Sequence, residues 1–257
     1  GLVGSEMCIR DRLYNDKGEE KGSFKPAAKA QFSSSSEYLL VTKTPPLKEV
    51  EAEKLKKTDK DKMPMNSLII SRLSGGMETI DSLKSYKLSE TADWLAYQRG
   101  SKSDSVLYTY IPQKGNNRIS DKKGVFKKIA FNENGSKLAY LFCPHKDSAA
   151  TRSSLYLAEN NTPGKLIAER GDKAFPASWI ISENAPLYFS ENASRLFFGT
   201  APEPKQKDTT LLAENRPDVQ VWSWDEKVQY TQQSFNKATD LKRSYTAIYN
   251  LGSGRLL

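Results

Sequence analysis

Four times along the chain the same ten-residue pattern returns: residues 32–41 (FSSSSEYLLV), 88–97 (LSETADWLAY), 131–140 (FNENGSKLAY) and 189–198 (FSENASRLFF). Each copy opens on a large apolar residue, passes through a run of small or polar residues and closes on a short apolar run. The copies begin 56, 43 and 58 residues apart. Self-similarity at a period of roughly 40–50 residues marks a solenoid or a propeller, because one such unit cannot bury its own apolar face and must stack on its neighbours.

The unit reads as a β-hairpin. In the third copy Phe131 ends one strand, Asn134, Gly135 and Ser136 turn the chain because Gly and Asn tolerate positive φ, and Leu138, Ala139 and Tyr140 begin the return strand. Asn192, Ala193 and Ser194 make the corresponding turn in the fourth copy. After each return strand the sequence offers a second hairpin. The candidates are 67–70 turning near Gly75 and Gly76, 106–111 turning near Gly115 and Asn116, and 155–157 turning near Pro163 and Gly164. Residues 219–224, turning at Asp225 and Glu226, and 246–251, turning at Gly252 and Ser253, fit the same place. Two hairpins per repeat make a four-stranded blade. The expected fold is therefore all-β: a partial β-propeller of four-stranded antiparallel blades, about four blades plus the start of a fifth.

A chain of 257 residues that is 37% hydrophobic has the apolar material for one sizeable β core. No apolar run approaches the roughly 18–20 residues needed to cross a bilayer, so no membrane span is expected. The net charge of +8 raises nucleic acid as a partner, and its distribution argues against it. The densest stretch, 48–62 (KEVEAEKLKKTDKDK), mixes six Lys with five Asp or Glu and reads as a solvated, partly helical insertion between two strands of the first blade. Phosphate binding needs cations gathered on one face beside aromatic residues or a known motif, and neither is present. Residues 199–218, with Pro202, Pro204 and Pro217, read as a long loop of the fourth blade.

The search for catalytic and ligand-binding groups returns none: no catalytic, cofactor-binding or metal-ligating residue is assigned. Of the two cysteines, Cys8 lies in a segment without repeat character, and Cys143 reads as a small apolar core residue. That leaves no disulfide framework, no zinc spacing and no cofactor. The single histidine, His145, follows Pro144 in a loop and reads as a surface residue. No G-x-S-x-G elbow occurs, and the serines at 33–36 are accounted for by the turn of the first repeat. Gly252 and Gly254 lack the spacing of a phosphate-binding loop.

The F-x-x-x-G/S-x-x-L-x-Y repeat resembles the propeller repeats of the prolyl oligopeptidase superfamily and of TolB-like propellers. Met63-Pro64-Met65-Asn66-Ser67-Leu68, Ser85-Tyr86-Lys87-Leu88 and Ala92-Asp93-Trp94-Leu95-Ala96-Tyr97 are similar to the N-terminal propeller of large secreted serine peptidases of that superfamily from Bacteroidetes-type bacteria. Arg216-Pro217-Asp218-Val219-Gln220-Val221-Trp222-Ser223-Trp224 with Gln232-Gln233, and Leu241-Lys242-Arg243-Ser244-Tyr245, resemble two later segments of it. The likeness runs over most of 14–257. It implies a non-catalytic propeller that covers the active site of a C-terminal α/β-hydrolase domain and filters peptide substrates, in a periplasmic or secreted protein. Since that domain supplies the Ser, Asp and His of the family, no catalytic residue carries over to this chain. The alternative is a TolB-like module that binds a protein or glycan and has no enzyme attached. Residues 1–12 (GLVGSEMCIRDR) carry no repeat and resemble translated sequencing adapter, a non-native or disordered tail, which leaves 13–257 as the propeller portion of a truncated chain.

Overall fold

Every copy of the repeat folds into the same turn, closed by a backbone hydrogen bond at the equivalent place. The N–H of the second residue donates to the carbonyl of the seventh: Ser33 to Tyr38 (3.0 Å), Ser89 to Trp94 (2.9 Å), Asn132 to Lys137 (3.1 Å) and Ser190 to Arg195 (2.9 Å). The second side chain accepts in return, Asn132 Oδ1 from Lys137 N–H at 2.8 Å and Ser190 Oγ from Arg195 N–H at 3.0 Å. This is why Ser or Asn stands at that position: a short side chain can reach its own neighbouring backbone. The fifth residue is left-handed in three copies, Ser36 (φ 59°), Gly135 (73°) and Ala193 (51°). At Gly135 a side chain is also excluded by crowding, since a Cβ there would lie 2.6 Å from the Ala92 Cβ in the turn of the preceding repeat.

The computed structural model describes residues 11–25, 27–101, 104–144, 153–204 and 223–257. A two-stranded hairpin, β1 (Asp11–Tyr14) and β2 (Glu20–Phe24), comes first. The first sheet is β3 (Lys29–Phe32), β4 (Tyr38–Lys43), then, after helix α1 (Leu47–Leu55), β5 (Asn66–Arg72) and the first half of β6 (Met77–Leu88). The second sheet is the rest of β6 with β7 (Leu95–Gly100), β8 (Ser105–Ile111) and β9 (Gly115–Arg118). The third is β10 (Val125–Phe131), β11 (Lys137–Cys143), β12 (Ser154–Glu159) and β13 (Lys165–Ala168). In the fourth, β14 (Trp179–Ser182) and β15 (Tyr188–Phe189) both pair with β16 (Arg195–Pro202); helix α2 (Tyr230–Asp240) follows, then β17 (Tyr245–Asn250) and β18 (Arg255–Leu256). All these pairings are antiparallel.

The strict alternation of side chains along a strand decides how the sheets stack. At the return strand of the second repeat, Leu95 and Tyr97 pack towards the first sheet with Leu40 and Ile70, whereas Ala96 packs towards the third with Tyr140 and Phe142. One repeat on, Leu138 and Tyr140 face the second sheet while Ala139 and Leu141 face the fourth with Leu196 and Phe198. The ninth residue of each repeat thus points to the next sheet, and the eighth and tenth point to the one before. In the first repeat, Leu39 and Val41 point instead to Phe24 and Ala27 of the N-terminal segment, with Leu13 beside them. The chain is all-β, a partial β-propeller of four-stranded antiparallel blades.

Several local expectations are modified. The outer strand of the first sheet runs straight into the first strand of the second: β6 pairs with β5 through Ile80 and again at Leu83, and with β7 from Leu83 on, kinking at Ser82 (φ 57°), so the two blades share one seven-stranded sheet. The run at 199–218 does not begin as a loop, because β16 continues to Pro202 in register with Trp179. After β12 the chain turns at Asn160 and Asn161, both at positive φ, ahead of Pro163 and Gly164. Residues 246–251 fall in β17 and its turn, which completes the fourth sheet. Strand β1 starts at Asp11, inside the segment expected as a tail. The insertion at 48–62 is partly helical, and α1 buries none of its side chains.

Candidate functional site

Three repeats bring equivalent residues to one cleft. The first strands of the sheets converge: β10 lies against β15, and Lys127 of β10 pairs with Glu183 at the end of β14. Where β6, β10 and β15 run into their turns they enclose a cleft of about 370 Å3, lined by 87–91, 129–133 and 187–191. Leu88, Ile129, Phe131, Leu187 and Phe189 give its walls their apolar part, beside the polar residues of the turns. The third residue of each of these repeats places a carboxylate at its rim: Glu90, Glu133 and Glu191, all exposed. Against them stands Lys87, whose ammonium is 3.9 Å from Glu90. In a chain with a net charge of +8, this one mouth carries more acid than base.

The geometry rests on the turns beneath it. Ser89, Asn132 and Ser190 are the second residues of their repeats and are committed to holding the turn, so they fix the outward direction of the glutamates that follow. Among the described residues, no cluster of His, Cys, Asp and Glu is placed to hold a metal ion. The three glutamates set a spread negative field beside the apolar side chains of the cleft, an arrangement that favours an extended, cationic or amphipathic chain over a compact anion.

The residues weighed in the sequence are dispersed. His145 and Cys8 lie outside the described residues. Cys143 is buried in β11. The serine tract stays in the first turn, where Ser34 Oγ and Ser35 N–H donate to Asp93 Oδ1 at 3.2 and 3.0 Å. Gly252 and Ser253 donate their N–H groups to Asn250 Oδ1, each at 3.0 Å, and so make a hairpin turn. Residues 219–222 of the expected hairpin lie outside the described residues. Sequence reading passed over the cleft, although Glu at the third position of three repeats was its visible signal.

No protein-family model matches the sequence, and no curated protein does. Solved structures with a similar overall shape include the β-propeller domain of the Trilobed protease from Pyrococcus furiosus, at 10% identity and TM-score 0.41, over 74% of this chain and 55% of that one. The Pyrococcus horikoshii acylaminoacyl peptidase is 7% identical with a TM-score of 0.38, over 67% of this chain and 28% of its own. Prolyl oligopeptidase B from Galerina marginata is 10% identical with a TM-score of 0.38, over 68% and 27%. This chain thus spans about half or less of the length of these three. At such identities and scores the likenesses carry no argument about activity.

Proposed function

We propose that this chain is the non-catalytic propeller portion of a prolyl oligopeptidase-like serine peptidase, covering the active site of an α/β-hydrolase domain and filtering the peptides that reach it. The observation that carries the reading is the cleft where the first strands converge. An apolar floor takes the side chains of an extended peptide, its carboxylate rim favours a free amino terminus or basic residues, and its narrowness excludes a folded protein. The sequence resemblance supports the same reading and adds a periplasmic or secreted location. Catalysis belongs to the other domain, which in the family that the sequence resembles supplies the Ser, Asp and His.

The coding DNA beyond the codon for Leu257 tests this. The expected result is an open frame that runs into a G-x-S-x-G elbow, with the 257-residue chain itself unlabelled by a fluorophosphonate probe. A stop codon after a few more repeats overturns it and favours the second reading, a TolB-like module that binds a protein. That alternative has its own support: Trp224 and Phe235, in the insertion between β16 and β17, are 98% and 87% exposed. Aromatic side chains standing free in water are what a docking surface needs.

A further inference from the structure

We propose that Lys128 makes the cleft specific for short peptides with both ends free, by holding the terminal carboxylate while the glutamates take the amino end. The inference rests on the peptide-filter reading and adds to it the length and the polarity of what the cleft accepts.

Lys128 owes its position to a break in the ladder. Lys127 lies opposite Leu141 and Ala130 opposite Ala139, so Lys128 and Ile129 together face one residue, Tyr140. Such a bulge adds a residue to one strand and reverses its alternation beyond that point. Phe126 before the bulge and Ile129 and Phe131 after it accordingly all pack towards the second sheet. The residue left over is Lys128, exposed and left-handed at φ 50°. It stands on β10, an edge strand of the third sheet. Lysine is a strained choice for a conformation in which Gly or Asn is the usual occupant, and bulges re-aim side chains beside functional sites.

The next residue, Ile129, lines the cleft, and the chain then runs through Phe131 to Glu133 at the rim. Lys128 and Glu133 thus mark the two ends of the wall that the third sheet contributes. Among the described residues Lys128, Glu133 and Glu191 have no ion-pair or hydrogen-bond partner, whereas Lys87 and Glu90 lie 3.9 Å apart and offset each other. A cation at the foot and carboxylates at the rim complement a zwitterion. Three residues of strand separate Lys128 from Phe131, ~10 Å, and an extended peptide covers at most ~3.6 Å per residue, so a chain of about three or four residues spans the wall from end to end. A longer chain brings only a mid-chain amide to Lys128 and gains nothing from its charge. The volume of about 370 Å3 agrees with a small occupant, since ligand pockets run from ~300 to ~1,000 Å3.

Chemical-shift titration of the full chain with the tripeptide Leu-Ala-Leu, its carboxyamide and its N-acetyl form tests this. Amidation is expected to weaken binding to the wild type about fivefold to tenfold, the worth of one charge-assisted hydrogen bond. In Lys128→Asn, which keeps a residue suited to the bulge and so preserves the fold, acid and amide are expected to bind alike. Lys128→Arg keeps the discrimination. With a peptide of about ten residues, amidation is expected to change nothing even in the wild type. Equal affinity of the wild type for tripeptide acid and amide overturns the proposal, and so does discrimination that survives in Lys128→Asn. Acetylation reads the glutamate rim alone. If it weakens binding while amidation is silent, Lys128 has no part and the peptide-filter reading stands; if none of the peptides binds, that reading falls and this inference with it.

Discussion

Asp93 belongs to the turn of the second repeat and holds the turn of the first. Its Oδ1 accepts from Ser34 and Ser35, and its backbone carbonyl accepts from the Tyr38 hydroxyl at 3.1 Å. Partial burial pulls the carboxyl upward, but the hydrogen bonds from Ser35, Ser33 and Ser34 outweigh it and hold it below the ordinary aspartate value of 3.8. A carboxyl depressed in the folded state contributes stability that is complete above its unfolded value and is lost as pH falls through the folded one. The contribution of Asp93 is therefore present above pH 3.8 and disappears below it. Asp93→Asn keeps the acceptor oxygen and removes the charge. Its stability near neutral pH should fall by only about 1 kcal/mol. Thermal melting below pH 3.8 should show a shallower acid decline in the variant than in the wild type; parallel acid limbs would remove Asp93 from the account.

Between neighbouring elements the decisive contacts are polar as well as apolar. Gln98 on β7 is buried, donates to Ser85 Oγ at 2.9 Å and to the Phe126 carbonyl at 3.1 Å, and accepts from Ser105 Oγ at 3.3 Å. It joins the second sheet to the first strand of the third. Replacing it with Leu keeps the volume but leaves the Phe126 carbonyl without this donor, so Gln98→Leu is expected to cost about 1–3 kcal/mol in urea unfolding. A neutral outcome would mean that the carbonyl finds water. This same level is where sequence reading reached its limit. The repeat turns were legible because their chemistry is local: Ser or Asn at the second position, a left-handed residue at the fifth. The sharing of β6 was not, since whether a short connection at Asp81 and Ser82 loops out or kinks depends on both flanking sheets. Nor was α2, whose helical run follows no turn signal of the repeat. The glutamates of the cleft were visible as letters at equivalent positions, but their convergence follows only from the stacking of three sheets.

Across the whole molecule, each of the two layers between the first three sheets carries buried tyrosines at or near the repeat. Tyr38 and Tyr97 lie between the first and second sheets, Tyr140 between the second and third. Burial pushes all three hydroxyls well above the ordinary value of 10.0, with nearby Asp93, Glu78 and Tyr156 adding respectively to the effect. For groups whose folded value is raised, stability is fully present below the unfolded value and is lost as pH climbs towards the folded one. Above pH 10.0 the unfolded chain releases these protons while the folded chain keeps them, so unfolding becomes progressively more favourable. Each tyrosine contributes a slope of up to about 1.4 kcal/mol per pH unit. Denaturant unfolding followed upward from pH 10.0 should therefore show a steep decline. Tyr140→Phe preserves the stacking on Tyr156, whose ring centroid is 5.4 Å away, and should remove about a third of that slope while leaving neutral stability nearly unchanged. Because the layers share the load, alkaline unfolding should be one cooperative step, with tyrosinate absorbance and circular dichroism changing together. Tyrosinate appearing before the sheets separate would mean that the layers open singly, and that the stack behaves as an array of independent blades.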